Sequence, residues 1–565
     1  MKKTIALLLA MAQCMGLTAC WAAETPETVT PSQSVATLPA QTETFTTETI
    51  PSPFQVIDYD DPNWFVNAHI QDLDGDWPTL YLDDRSSKEA MIGRGEWYFD
   101  HLLTDTAVTD VMLCVFEQLS FVESDTMDWI HEKIANRTQA GQASPGLDHA
   151  APLFTDFYRA VTAYDLDWCQ LAIDQCRAYG VRPWIYLRMN DLHGARYGAE
   201  SVQHDDFWYE AQANGWLLGD GYGTLVRSTT PTNAAYDFSH EEVRAWMLTY
   251  IEEMLMRYDV FGLQLDFMRN IYCFRYLEAE DYAPIMTQFI RDVKVLLEKA
   301  EAHHGHDMKL MIRLGADVAN NLTFGFDVKT WAREGLMDAV VPSPEDFTGS
   351  GTRVREWIEA VGDDIAVFPG FENNLIPMTY YTKLAHIKGI AAGYMQQGAH
   401  GLYFNNYYQL GSEGPSVYPL SPAEASQGPR TFIISRQDLV PIGETGYSPL
   451  PLVLDHGGRN LEISMGPVAA GENIRISIGY DSAFGGIPPE RIILNGAEPL
   501  EVKEVQPTAY GTAGFYLDTG YKVTQAETLM QYTFSNVSSE DILTVYLPVA
   551  PGCTVVSLEI HVSPF

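Results

Sequence analysis

Short apolar runs alternate along the chain with longer segments in which apolar residues recur every three or four positions. The runs predict buried β-strands, and the recurring positions predict helices packed against them. Eight runs occur between residues 60 and 410, at 65–71, 110–116, 182–188, 262–267, 310–314, 339–342, 365–368 and 401–404. Strands that alternate with helices form parallel sheets, so the pattern predicts an α/β fold of the (β/α)8 TIM-barrel type.

The segment that follows Ser239 shows the helical pattern clearly, since Val243, Met247 and Met254 fall on one face. Ser239 and Glu242 have the spacing of a capping box, which predicts the start of this helix. A doubly wound open sheet is the competing architecture. It would place a glycine-rich phosphate-binding turn after an early strand, and the sequence has none, so the barrel is favoured.

Beyond residue 430 the pattern changes to short alternating segments that are separated by Gly, Pro and Asn, such as 460–464, 474–478 and 543–547. It predicts a C-terminal all-β sandwich domain over residues 430–565, after a barrel domain over residues 54–425. No aromatic cluster stands out there as a sugar-binding platform. We therefore expect the second domain to brace the barrel, with sugar binding as the alternative.

The first 53 residues are not expected to belong to the fold. Two lysines precede a short apolar stretch, which predicts a secretory signal peptide over residues 1–20. Residues 17–20 (LTAC) resemble the lipobox of bacterial lipoproteins, which implies lipidation of Cys20; ordinary cleavage a few residues later is the alternative. Residues 21–53 are rich in Thr, Pro, Ser and Glu and predict a disordered tether. We expect an exported protein that a lipid anchors to the bacterial cell envelope.

The net charge of the chain limits the classes of partner that it is expected to bind. The 565 residues carry a formal net charge of −40, which argues against nucleic acid or an anionic membrane bound through a basic patch. Five of the seven cysteines follow the signal peptide, widely spaced and without a C-x-x-C pair, so buried thiols are predicted. The strand ends offer no His-x-His pair, so a metal-dependent hydrolase is disfavoured and no metal or cofactor is expected. The sequence carries no signal for oligomeric state.

Active sites of TIM barrels form at the carboxyl ends of the strands. Polar residues follow most of the predicted strands: Glu117, Arg188, Asn190, Asp191, His193, Asp266, Arg269, Arg313, Asp317, Glu345, Asp346, Glu372 and Asn405. Each of them alone is explained by a salt bridge or a loop cap. Together they predict a polar binding site and argue against an apolar ligand.

The strand that ends at Asp266 carries a family resemblance. Residues 258–267 (YDVFGLQLDF) resemble the RYDVDGIxLDF strand of bacterial glycosyl-hydrolase-like TIM barrels, which are secreted. Residues 236–244 (YDFSHEEVR) resemble the helix start of that group, and residues 401–405 (GLYFN) its last strand. Phe261 stands where the family commonly has Asp, at a position that should lie away from the site. The resemblance covers roughly residues 60–410 and implies a glycoside hydrolase, without naming its substrate.

Cleavage of a glycosidic bond typically uses two carboxyl groups, one of which stays protonated as general acid. Asp266 is predicted to be the nucleophile or charge stabiliser, and a salt bridge to Arg269 or Arg313 is its structural alternative. Glu372 is the predicted general acid, because strands four and seven lie on opposite sides of an eight-stranded ring. Glu345 and Asp346 are its rivals.

The remaining polar residues have the donors and acceptors that sugar hydroxyls need. The predicted substrate-binding set is Arg188, Asn190, Asp191, His193, Trp208, Trp216, Arg269, Arg313, Asp346 and Asn405. Trp208 and Trp216 lie in the long loop after strand three, where they would either stack on a pyranose or pin the loop to the barrel. The expected partner is an oligo- or polysaccharide. A non-catalytic surface lipoprotein that binds glycan at the same site is the alternative function.

Overall fold

Nine parallel strands form the central sheet of the protein, as seen in a computed structural model. Their bounds are β1 Ala68–Leu73, β2 Asp110–Phe116, β3 Arg182–Arg188, β4 Gly262–Asp266, β5 Lys309–Gly315, β6 Ala339–Ser343, β7 Ala366–Val367, β8 Gly370–Glu372 and β9 Gly401–Asn405. They pair in the order β7-β6-β5-β4-β3-β2-β1-β9-β8. Each of the eight predicted runs overlaps one of these strands. The run at 365–368 covers β7, and no run was predicted at β8.

The structure describes most of the chain after residue 62. The described residues are 63–145, 147, 150–192, 200–219, 234–268, 270–344, 351–372, 383–405, 425–434, 450–469, 471–481, 485–505 and 528–564. The predicted signal peptide, the tether and Cys20 lie outside them. No helix within these ranges is long and apolar enough to cross a membrane.

Helices connect the parallel strands. They are α1 Trp77–Tyr81, α2 Lys88–Leu103, α3 Ile130–Gln139, α4 Ala151–Tyr164, α5 Trp168–Ala178, α6 Asp206–Asn214, α7 Glu241–Arg257, α8 Ala283–His304, α9 Asn320–Thr323, α10 Val328–Arg333, α11 Val354–Val361 and α12 Lys383–Gln396. Local sequence sets several boundaries. The side chain of Ser87 accepts a hydrogen bond from Ala90 N (3.1 Å) at the start of α2, and Gly305, with φ +85°, ends α8.

The predicted capping box at Ser239 is wrong. Helix α7 begins at Glu241 after His240, without a side-chain cap, and Ser239 N instead donates to Asp237 Oδ1 (2.9 Å). The apolar face of this helix is confirmed, since Val243 and Met247 are buried. The five cysteines after the signal peptide are buried free thiols, as predicted.

The sheet is curled into an open half-barrel, and strands that are neighbours in sequence are also neighbours in the sheet from β1 to β7. A doubly wound sheet would reverse direction at a switch point, and this sheet does not. Its two edge strands, β7 and β8, are separated in sequence only by Phe368 and Pro369. Phe368 N donates to Val340 O (2.9 Å) of β6, and Pro369 O accepts from Tyr403 N (3.2 Å) of β9. One segment is therefore hydrogen-bonded to both ends of the sheet.

Side chains that point into the curl form a hydrophobic cluster of their own. The cluster contains Trp64, Ala68, Ile70, Met112, Cys114, Trp184, Tyr186, Phe261, Met311, Ala339, Val341, Ala366, Phe368 and Tyr403. Phe261, directly before β4, packs on Trp64 and Trp184 with ring centroids 5.5 and 5.2 Å away. It thus lies at the amino ends of the strands, away from the carboxyl ends. A larger cluster holds the helices against the outer face of the sheet.

Residues 430–564 form two separate antiparallel sheets. Their strands are β10 Arg430–Ile434, β11 Leu452–Val453, β12 Arg459–Ser464, β13 Glu472–Asp481, β14 Ile493–Leu494, β15 Glu501–Val505, β16 Thr528–Phe534, β17 Ile542–Leu547 and β18 Thr554–Pro564. One sheet has the order β10-β18-β13-β16-β15, with β11 on β18, and the other has the order β12-β17-β14. Buried residues of both sheets belong to one hydrophobic cluster. The predicted boundaries of the two domains stay predictions.

Helix α12 joins the curled sheet to the antiparallel sheets through two glycines. A Cβ atom on Gly389 would overlap the backbone carbonyl of Thr431 in β10, and one on Gly393 would lie 2.7 Å from Ser464 O in β12. Backbone therefore packs on backbone here, which only glycine permits.

We expect Gly389→Ala to lower the free energy of unfolding by about 1–3 kcal/mol, because the new methyl group forces α12 away from β10. The matched control is Gly93→Ala in α2, where an added Cβ meets no atom within 4 Å. That change should stabilise the protein by up to about 1 kcal/mol through helix propensity. Urea unfolding of both variants measures the difference, and equal effects would contradict the packing described.

Candidate functional site

Polar residues end the strands on the inner face of the curled sheet. Each of them follows an inward-facing residue by two positions, as Asp72 follows Ile70 and Arg313 follows Met311, because side chains alternate along a strand. The set is Asp72, Arg188, Asp266, Arg313, Ser343 and Asn405. All six are buried, with at most 1% of the residue surface exposed. The predicted clustering of polar groups at the carboxyl ends is therefore present in the structure.

Asp266 is held by two donors. Its Oδ2 accepts a hydrogen bond from Arg313 Nη1 (2.8 Å), and its Oδ1 accepts one from Met268 N (2.7 Å). The two donors satisfy both oxygens of this carboxyl group. Asp266 is fully buried. Its salt bridge to Arg313, the structural alternative considered from the sequence, is present.

Arg313 connects Asp266 to two further strands. Its Nε and Nη2 donate to Ser343 Oγ (3.1 Å each), and its Nη1 also donates to Asn405 Oδ1 (3.1 Å). In the β8–β9 register, Glu372 lies opposite Asn405, so the backbone of the predicted general acid is next to this network. The side chain of Glu372 lies outside the described part of the structure.

Arg188 is the second buried guanidinium at this end of the sheet. It forms an ion pair with Glu117, which follows β2, and its Nη2 lies 3.3 Å from Asp74 Oδ2. Asp191 Oδ2 is 4.0 Å from its Nη1. Burial raises the pKa of Glu117 well above its ordinary value even though Arg188 opposes the shift. Burial together with Asp74 raises the pKa of Asp76 to about 7.

Sequence reasoning missed three acids, Asp72, Asp74 and Asp76, that follow one another at alternate positions at the end of β1. The predicted first strand stopped at residue 71, whereas β1 continues to Leu73. Asp72 lies between two hydroxyl groups, Tyr186 Oη at 3.0 Å and Tyr403 Oη at 3.1 Å. Burial raises the pKa of Asp72 to about 7. The signal that would have found these acids is the D-x-D-x-D spacing itself, directly after an apolar run.

Asn190, a predicted sugar ligand, ties neighbouring loops together. Its Nδ2 donates to Tyr236 O (2.9 Å) and Tyr272 O (2.6 Å), and its Oδ1 accepts from Tyr236 N (3.0 Å). All three bonds join the side-chain amide of Asn190 to backbone atoms. Its role in binding substrate stays a prediction.

The two tryptophans of the loop after β3 are packed in the structure. Trp208 is 2% exposed, stacks on His204 at 3.7 Å and donates from Nε1 to Ala234 O (2.9 Å). Trp216 is half-buried and stacks on Phe207 at 5.9 Å. The contacts of Trp208 favour the loop-pinning alternative, since a buried indole presents no face to a sugar ring.

Several predicted site residues lie outside the described residues. They are His193, Arg269, Glu345 and Asp346. The part of the chain that the structure describes contains no group of three His, Cys, Asp or Glu side chains arranged to hold a metal ion.

We expect Arg313→Gln to lower the free energy of unfolding by about 3–5 kcal/mol, because it leaves the buried Asp266 carboxylate without its cation. The control is Arg291→Gln. Arg291 bonds Glu334 through two nitrogens (2.8 and 2.9 Å), but both side chains are partly exposed. That change should cost at most about 1 kcal/mol. Denaturant unfolding compares the two, and similar losses would mean that Asp266 and Arg313 are not a buried pair.

Comparisons with known proteins give similarity at the level of structure. The sequence matches no family model and no curated protein. One similar structure is a cycloisomaltooligosaccharide glucanotransferase from Paenibacillus sp., with 10% identity, 88% of this chain and 57% of that chain covered, and a TM-score of 0.32.

Two further similar structures are glycoside hydrolases. For α-L-fucosidase isoenzyme 2 from Paenibacillus thiaminolyticus the identity is 13%, the match covers 64% of this chain and 48% of that chain, and the TM-score is 0.34. For the glycoside hydrolase domain of PgaB (BpsB) from Bordetella bronchiseptica the values are 10%, 60%, 94% and 0.37. This chain spans about half the length of the transferase and the fucosidase.

Proposed function

We propose that this protein hydrolyses a glycosidic bond in an extracellular glycan, with Asp266 as nucleophile or charge stabiliser. The observation that carries the proposal is the set of buried carboxyl and guanidinium groups at one end of the sheet. Asp266 accepts hydrogen bonds from Arg313 and Met268 N, whereas burial together with Asp74 raises the pKa of Asp76 to about 7. Neighbouring carboxyl groups in such different surroundings are what acid-assisted glycoside cleavage uses.

The proposed scaffold is a closed (β/α)8 barrel. In this proposal β7 and β8 are two parts of the seventh strand, and the turn at Phe368 and Pro369 lets that strand pair with β6 first and β9 afterwards. The backbone bonds of Phe368 and Pro369 to both neighbours support it. The strand ends would then surround one mouth, and the antiparallel sheets would brace the barrel through α12.

The proposed general acid is Glu372, with Glu345 and Asp346 as the rivals from the sequence. Support for Glu372 comes from its register opposite Asn405, whose side chain contacts the arginine that holds Asp266. Glu117 is a further candidate, because burial raises the pKa of its carboxyl group. Arg188, which contacts Glu117, Asp74 and Asp191, would position these acids.

A glycan-binding protein without catalytic activity is the second candidate. The observation that favours it is the complete burial of Asp266 beneath its bonds to Arg313. In both cases we propose export and a lipid anchor at Cys20, with residues 21–53 as the tether.

We expect Asp266→Asn to lower kcat/KM by at least about a thousandfold, because the neutral amide can neither attack nor stabilise positive charge on the sugar. The measurement is release of reducing ends from a panel of defined oligosaccharides. The variant also leaves Arg313 without its anion at a cost of about 3–5 kcal/mol, so rates are compared where folding is complete.

Asp110→Asn is the matched control for Asp266→Asn. Asp110 is fully buried too, and its carboxylate accepts bonds from Arg182 Nε (2.8 Å) and Trp184 Nε1 (2.9 Å) at the amino ends of the strands. Its loss should destabilise the fold and leave kcat of the folded protein unchanged. Unchanged hydrolysis by Asp266→Asn would remove Asp266 from the mechanism. Glycan binding by the wild-type protein without release of reducing ends would favour the second candidate.

A further inference from the structure

The carboxyl group of Asp72 is enclosed by side chains whose hydrogen-bond donors and acceptors allow only one arrangement of protons. It is fully buried, with Oδ1 3.0 Å from Tyr186 Oη and Oδ2 3.1 Å from Tyr403 Oη. Tyr403 Oη also lies 2.9 Å from Gln264 Oε1. Tyr403 has two oxygen neighbours but only one hydroxyl proton, so it donates to only one of them.

The orientation of Gln264 decides which neighbour receives that proton. Gln264 Nε2 lies 3.7 Å from Met311 Sδ, a weak acceptor. The reverse orientation of the amide would set its oxygen against the sulfur, with two acceptors facing each other. Gln264 Oε1 therefore accepts from Tyr403, and the contact between Tyr403 and Asp72 needs a proton on Asp72 Oδ2.

The other side of Asp72 agrees with this direction. Arg188 has only donors, and its Nη2 donates to Tyr186 Oη (3.3 Å). The hydroxyl of Tyr186 is then free to donate to Asp72 Oδ1. A single chain of donors runs from Arg188 through Tyr186, Asp72 and Tyr403 to Gln264, and it crosses the interior between four strands.

We propose that Asp72 is a positioning residue that keeps its proton at neutral pH and thereby leaves both buried arginines to the other acids. The charged groups that face it are Arg188 on β3, Arg313 on β5, Asp74 after β1 and Asp266 on β4. An ionised Asp72 would attract Arg313 away from Asp266 and Arg188 away from Glu117. Protonated Asp72 bonds only to hydroxyl groups and does not compete for either guanidinium.

The electrostatic surroundings support this proton. Burial raises the pKa of Asp72 from 3.8 to about 7; the two arginines oppose the shift, and Asp74 and Asp266 add to it. Between these values the folded state holds a proton that the unfolded state has lost. Stability from this group is therefore complete below about pH 4, declines as pH rises through about 7, and is constant above.

Asp72→Asn tests the proposal because asparagine reproduces the protonated carboxyl group. Its oxygen accepts from Tyr186 and its NH2 group donates to Tyr403, as Oδ1 and protonated Oδ2 do. We expect the stability of the variant relative to the wild type to increase with pH. Between pH 4 and 8, the ratio of the variant's folding equilibrium constant to that of the wild type should rise by up to about a thousandfold. Denaturant unfolding of both full-length proteins across this range gives the difference. A difference that does not change with pH would overturn the proposal.

Asp110→Asn serves again as the matched control. Both Asp110 oxygens accept only from donors, including Arg182 Nη2 (2.7 Å) and Thr109 Oγ1 (2.5 Å), so the NH2 group of an asparagine would face a donor there. This variant should be less stable than the wild type. If Asp72→Asn behaves in the same way, Asp72 is an ordinary buried carboxylate and the proposal fails.

Infrared difference spectroscopy provides a readout that does not depend on whether Asp72→Asn folds. The wild type at pH 6 should show the carbonyl band of a protonated, hydrogen-bonded carboxyl group. Tyr403→Phe removes the acceptor of the Asp72 proton and should shift that band. A wild-type spectrum without such a band, or a band unmoved by Tyr403→Phe, would refute the assignment. Neither measurement uses turnover, so the inference is tested independently of glycoside hydrolysis.

Discussion

The burial of two guanidinium groups inside a curled sheet is the constraint on which the site depends. Arg188 and Arg313 are at most 1% exposed, and an isolated cation in such surroundings would be very costly. Each is therefore surrounded by acceptors, several of which come from other strands. Arg313 binds Asp266, Ser343 and Asn405, so one side chain fixes the relative positions of β4, β5, β6 and β9.

Buried acids and arginines are paired differently at the two ends of the sheet. At the amino ends, Asp110 accepts hydrogen bonds from Arg182 and Trp184, so this acid has one guanidinium partner. At the carboxyl ends, the acids among the described residues outnumber the arginines. The acids there also lie close to one another, and this contributes to the raised pKa of Asp72 and of Asp76.

The sequence predicts the strands well and the site only in part. Strands β2 and β3 have the predicted bounds because continuous apolar runs leave no other choice. Asp266 and Arg313 were found because they follow such runs directly. Asp72 was missed because the predicted strand stopped two residues before the end of β1, at Leu73. The packing of Trp208 could not be predicted, because its contacts with His204 and Ala234 depend on how the loop folds and not on a local sequence pattern.

Among the described residues, acidic side chains outnumber arginines at the carboxyl ends of the parallel strands. They include Asp72, Asp74, Asp76, Glu117, Asp191 and Asp266, together with Arg188 and Arg313. Repulsion from neighbouring acids adds to burial in raising the pKa of Asp72 and of Asp76 to about 7. Arg313 bonds Asp266 directly, and Asp266 in turn contributes to the raised pKa of Asp72.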